Sequence, residues 1–122
     1  MIMYRASDSP ERFSATGKSF SVHEWRGSGP AIMHVHHADD EAWHVLEGVL
    51  RFRFTDRTVE VTAGGTMFVP AGVAHTYEAI DARYLIILTP RLDALIKALQ
   101  SEKDRGRHGE IYDAYQSEML EH

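Results

Sequence analysis

The chain has 122 residues, 43% of them apolar and 25% charged, with a formal net charge of −5 and no cysteine. That length suits one domain with its own core, and an acidic balance without a basic stripe disfavours nucleic acid or an acidic membrane as partner. Disulfides and thiolate metal ligands are excluded, which accords with a cytoplasmic setting.

Met1–Asp8 lacks the long apolar core of a signal peptide, and the longest apolar run, Tyr84–Leu88, has the length of a strand and not of a membrane span. Ser9-Pro10-Glu11 can open a short helical turn, with Ser9 as cap and Pro10 at the first position. Ser19–Trp25 has strand composition and ends in the turn Arg26-Gly27-Ser28-Gly29-Pro30. Ala31–His36 is the next expected strand, with Ile32, His34 and His36 on one face. Glu41–Leu46 follows, placing Glu41, Trp43 and Val45 on one side, and Glu47-Gly48 is read as a turn. Val49–Thr55 alternates Leu50, Phe52 and Phe54 against Arg51 and Arg53, so the arginines face away from the core. Thr58–Thr62, Met67–Val69, Ala74–Glu78 and Arg83–Leu88 complete the strands, the first three separated by Gly64-Gly65 and by Pro70-Ala71-Gly72 and the last two by residues 79–82. Short strands at close spacing, punctuated by Gly and Pro, indicate an antiparallel barrel or sandwich.

After Pro90 the period changes. Leu92, Leu95, Ile96 and Leu99 fall at helical spacing, so Arg91 to about Lys103 reads as an amphipathic helix. Arg105-Gly106-Arg107-His108-Gly109 breaks it, and Ile111, Tyr112, Tyr115 and Met119 suggest a second helix running to the C-terminus. The expected division is a barrel with its N-terminal segment over residues 1–89 and a helical extension over 90–122. The extension packs on the outside of the barrel or on a partner subunit.

Eight histidines are many for this length, and His34, His36 and His37 crowd into four positions. On a strand, residues two apart place both side chains on one face, about 7 Å apart along the backbone. A turn through His37-Ala38-Asp39-Asp40 then lets Glu41 return to the side of His34 and His36. Two neutral imidazoles and a carboxylate from adjacent strands make a first shell for a divalent metal, with His75 as a fourth candidate. His37 points the other way, and His44 falls opposite Glu41 and Trp43, so neither reads as a ligand. Asp39 and Asp40 carry turn chemistry. Trp43 and Tyr77 each lie two residues after a candidate ligand and face inward. Trp43 reads as core; the Tyr77 phenol can orient a substrate or bound dioxygen and is the candidate catalytic residue. Phe20, Val22, Met67 and Ile86 are expected to line the same pocket. His23 and His108 have no evident partner in the sequence, and His122 is expected to be solvated.

These residues carry a family pattern. The sequence resembles the cupins, whose first motif reads G-x5-H-x-H-x3-4-E-x6-G. His34, His36, Glu41 and Gly48 match it, while Gly29 precedes His34 by four residues instead of five. The second motif, G-x5-P-x-G-x2-H-x3-N, matches at Gly64, Pro70, Gly72 and His75, with Ala79 in place of the asparagine. The resemblance spans roughly residues 20–88. It implies an all-β double-stranded β-helix, the jelly-roll barrel, and one divalent metal held by His34, His36, Glu41 and His75. It also implies an internal pocket for a small molecule, and commonly a homodimer. Fold alone does not name the reaction. An all-nitrogen-and-oxygen shell suits Fe(II), Mn(II), Ni(II), Zn(II) or Cu(II). Four protein ligands leave octahedral positions open, so the leading expectation is an iron-dependent, dioxygenase-like oxygenase. A non-redox isomerase or lyase and a non-catalytic binding module are the alternatives.

Overall fold

The computed structural model describes residues 1–120. Eight strands run β1 Ser14–Thr16, β2 Ser21–Trp25, β3 His34–His36, β4 Glu41–Arg53, β5 Thr58–Thr62, β6 Thr66–Val69, β7 Thr76–Leu88 and β8 Ser117–Met119. Helix α1 spans Pro90–Ser101 and α2 spans His108–Ala114, with a short 3₁₀ turn at Arg105–Arg107 between them. All strand pairs are antiparallel. The main sheet has the order β1-β2-β7-β4-β5, with β6 also on β4, and β3 pairs with β8 in a second, two-stranded sheet. A backbone bridge between His34 and His75 joins the two sheets.

The expected strands are present, but two of the expected breaks are not. Glu47-Gly48 does not reverse the chain: β4 runs on to Arg53, and β7 likewise passes through Asp81. Each long strand carries one residue with positive φ, Gly48 at 74° and Asp81 at 46°, and the β4–β7 register shifts around Glu47. Extra residues at such positions bend a strand without ending it. Gly48 is required there, since a Cβ would lie 2.2 Å from the Asp81 carbonyl oxygen. Ser9-Pro10-Glu11 forms no helix, although Glu11 N–H does bond Ser9 Oγ at 3.2 Å.

The inward faces of β4 and β7 supply the core: Trp43, Val45, Leu50, Phe52, Tyr84, Ile86 and Leu88 are all fully buried. Helix α1 begins where expected. Thr89 caps it by accepting from Leu92 N–H, and Pro90 takes the first position, where no N–H is needed. Its Leu92 and Leu95 join the barrel core, as does Tyr112 of α2, so the helices pack on their own barrel. An ion pair from Arg91 to the buried Asp39 and a hydrogen bond between His23 Nε2 and Asp93 at 2.9 Å hold α1 there. His23 thus has partners, since its Nδ1 also meets Ser14 Oγ. His108 Nε2 bonds the Glu102 carbonyl.

The second expected helix is corrected in part. Helix α2 stops at Ala114, Gln116 adopts a φ of 54°, and the chain turns into β8, which carries Met119. The edge of β3 accounts for this. His37 N–H bonds the Gln116 carbonyl and Leu120 N–H bonds the Met33 carbonyl, both at 2.9 Å, which extends the β3–β8 ladder at its two ends. His122 lies outside the described residues. Among those described, no helix is long and apolar enough to cross a membrane.

Candidate metal centre

The β3 alternation points His34 and His36 to one side, their rings 5.0 Å apart between centroids. His75 arrives through the turn Pro70-Ala71-Gly72, and its backbone exchanges two hydrogen bonds with His34. Its ring lies 4.5 Å from that of His34 and 5.4 Å from that of His36. Glu41 opens β4, directed into the barrel. One potential ligand atom from each histidine lies within 4.8 Å of the others, and all three side chains are buried. Glu41 Oε1 is 3.1 Å from His75 Nε2 and 3.3 Å from His36 Nε2. These three histidines can hold a metal ion, and Glu41 sits against two of them.

The outer nitrogens decide which atoms are available. His34 Nδ1 donates to the Ile32 carbonyl at 2.9 Å, and His75 Nδ1 donates to the Val73 carbonyl at 3.0 Å. A carbonyl can only accept, so both rings carry a proton on Nδ1, and Nε2 is the nitrogen each can offer to a metal. His36 Nδ1 meets Ser117 Oγ at 2.7 Å, and that hydroxyl also donates to the Tyr115 carbonyl at 3.3 Å. A hydroxyl whose proton goes to Tyr115 accepts from His36. Three Nε2 atoms and a carboxylate then converge in a buried space, an arrangement that a bound cation stabilises. The donor set fits a divalent metal, with imidazoles fixed from behind as metal-bound histidines commonly are.

Electrostatics agree. Burial, together with the neighbouring His75 and His36, lowers the His34 pKa from 6.5 to about 4, so this ring is neutral at physiological pH. Burial opposes ionisation of Glu41, yet hydrogen bonds and positive charge on its His36 and His75 side hold its carboxyl at about 2, and a metal bound between them would supply that charge in place of ring protons. A histidine neutral in the fold but protonated when unfolded stabilises the protein above pH 6.5, and that contribution fades as pH falls toward 4. Acidification through this window should therefore destabilise the metal-free protein by roughly 3 kcal/mol at full titration and expel any bound metal. Thermal melts from pH 7.5 to 4, with and without metal, measure both effects.

A cavity of about 170 Å³ opens in front of these residues. His34, His36, Glu41 and Tyr77 form part of its wall, and Leu92, Leu95, Ile96 and Leu99 of α1 form an apolar side. Trp25, Ile86 and Tyr112 also line it, and among the described residues no lysine or arginine does. The Tyr77 hydroxyl lies 2.9 Å from that of Tyr84, which itself donates to the Gly27 carbonyl. Tyr77 is thereby the donor in the pair, and burial raises its pKa well above the ordinary phenol value. Trp43 is wholly buried, with its ring edge-on to those of Phe52, His75 and Tyr77.

Of the other expected pocket residues, Ile86 lines the cavity, whereas Phe20 is exposed and neither Val22 nor Met67 belongs to the lining. Phe20 precedes β2, so strand alternation gives no guide to its direction. His37 is exposed and pairs with Glu118, and His44 bonds Thr66 Oγ1, both away from the centre. Asp40 is expected to serve its own turn, but it accepts from Ala71 N–H, 31 residues away, and Asp39 is buried against Arg91. The α1 leucines, Tyr112 and Ser117 are site residues that motif reading missed. Periodicity marks the leucines as one face of a helix, but no local signal ties Ser117 to His36, 81 residues away.

A family model described as Cupin domain matches residues 20–89, more than half of the chain. An uncharacterised protein of Streptomyces coelicolor is 38% identical over 56 residues, which are 44% of this chain and 53% of that protein. The chain thus spans about half the length of that relative. Among solved structures, a cupin-2 domain containing protein from Shewanella frigidimarina is 26% identical, with a TM-score of 0.51 over 71% of this chain and 84% of that one. KdgF from a Halomonas species is 19% identical, with a TM-score of 0.56 over 74% and 90%, a likeness of fold alone. A sugar phosphate isomerase from Silicibacter pomeroyi is 25% identical, with a TM-score of 0.50 over 58% and 50%.

Proposed function

We propose that this chain, which belongs to the cupin domain family, is a mononuclear metal-dependent oxygenase, dioxygenase-like in its chemistry, acting on a small organic molecule. The observation that carries this reading is the placement of three fixed imidazoles and a carboxylate against a small cavity with an apolar wall and no cationic lining. His34, His36, His75 and Glu41 would hold the ion. Fe(II), the favoured ion, would supply the activation of dioxygen and of a chelating substrate when bound. The chain's own contribution is position and exclusion. Leucines of α1 keep bulk water out, and Tyr77 orients the substrate or dioxygen from the wall. Because its proton is directed to Tyr84, Tyr77 serves as a fixed polar contact and not as a base.

Elemental analysis of freshly purified protein is the first test, and oxygen uptake dependent on added Fe(II) is the second. Uptake with candidate substrates that vanishes without iron supports the oxygenase. Anaerobic turnover with Zn(II) or Mn(II) moves the assignment to a Lewis-acid isomerase or lyase; the Silicibacter pomeroyi protein is a sugar phosphate isomerase. Phosphorylated sugars would find no lysine or arginine in this cavity among the described residues, and Arg51 is paired outside with Glu60 and Glu78. Tight ligand binding without turnover under any metal would leave a binding module. We also propose a cytoplasmic homodimer, supported by family analogy and by the 57% and 59% exposure of Phe20 and Phe68. Light scattering tests the dimer, and a monomer at working concentration would remove it.

A further inference from the structure

We propose that Ser117 is the positioning residue that commits His36 to metal, so that docking of β8 and occupation of the centre stabilise each other. This rests on the metal reading above, though not on the oxygenase. Each histidine of the centre is held from behind, but not by the same kind of partner. His34 and His75 use carbonyls two residues before them, Ile32 and Val73, within their own loops. His36 alone uses a side chain, and that side chain lies outside the segment matched by the family model.

Ser117 is 2% exposed, sits opposite His36 in the β3–β8 register, and presents Oγ 2.7 Å from Nδ1. Without that acceptor, the His36 proton has a competing position. On Nε2 it would face Glu41 Oε1, 3.3 Å away, and would occupy the nitrogen that a metal needs. With Ser117 in place the proton stays on Nδ1 and the Nε2 lone pair faces the centre. Because coupling is reciprocal, a metal that selects this tautomer also favours the docked strand. The C-terminal segment, which also brings Tyr112 to the cavity wall, thereby becomes more ordered when metal is bound.

The test uses the full chain with Zn(II) or Co(II) alone, measuring affinity by chelator competition. Ser117→Ala should bind about 10- to 100-fold more weakly than the natural protein, the usual cost of losing a supporting hydrogen bond. Ser117→Thr should recover most of the affinity, whereas its isostere Ser117→Val should not. Glu118→Ala, which loses only the exposed pair with His37, should bind as the natural protein does. Metal should also slow hydrogen exchange across 117–119 in the natural protein, and less so in Ser117→Val. Equal affinities for the Thr and Val variants would overturn the proposal, as would equal weakening in Glu118→Ala. Failure of the natural protein to bind any metal would instead sink the metal reading itself.

Discussion

Replacing His36 with alanine should take the protein from near-stoichiometric metal to almost none. The reason is geometric. His36 supplies one of three imidazoles, and its removal also takes away one of the two ring nitrogens, at 3.1 and 3.3 Å, that face Glu41 Oε1. The loss in affinity should exceed the about 10- to 100-fold expected when only a supporting hydrogen bond is removed. Stability follows by linkage. A metal present at a hundred times its dissociation constant contributes about 2.7 kcal/mol to the folded state, and the variant forfeits this. Plasma mass spectrometry and melting curves with and without added metal measure both quantities. Metal content equal to that of the natural protein would remove His36 from the centre.

The second large effect belongs to the helix that covers the cavity. Leu92 and Leu95 are 0% and 1% exposed, and both line the space in front of the histidines. Leu95→Ala should cost about 2–5 kcal/mol, because it removes buried methyl groups and leaves a void that only partly collapses. A fall in melting temperature on the order of 10 °C is expected for a domain of this size. Here the void adjoins an existing cavity, so water should enter. Trp25, also in the lining, reports that entry as a red shift in fluorescence, since the chain's other tryptophan, Trp43, is sealed in the core. Truncation before α1 should go further, exposing the core faces of β4 and β7 and producing aggregation. A truncated chain with an unchanged melt would mean that α1 does not dock on its own barrel.

Both effects combine features of different legibility. The cluster of His34, His36 and His75 was readable because strand alternation and two spaced motifs are local properties. His34-x-His36 needs only an extended backbone to place its rings together, and Glu41 and His75 follow at motif spacing. The strands of the barrel were readable from their alternation, and α1 from the leucine spacing after Pro90. Gly48 shows where local reading stops. A Glu-Gly pair suits a turn, but here the left-handed residue is a bend inside β4, set by its close approach to Asp81 on β7.

The C-terminus shows the same limit. Ile111, Tyr112, Tyr115 and Met119 have helical spacing, yet the chain leaves the helix because β3 offers an unpaired edge. That edge exists only after the barrel has formed. The sequence by itself determined the class of fold, the metal-binding residues expected of it and the helical character of the extension. Tertiary structure alone decided that the extension covers the cavity, that Tyr112 joins its wall, and that Ser117 stands behind His36. Backbone edges, register and hydrogen bonds across 81 residues are properties of the assembled chain, with no periodic trace in the order of its residues.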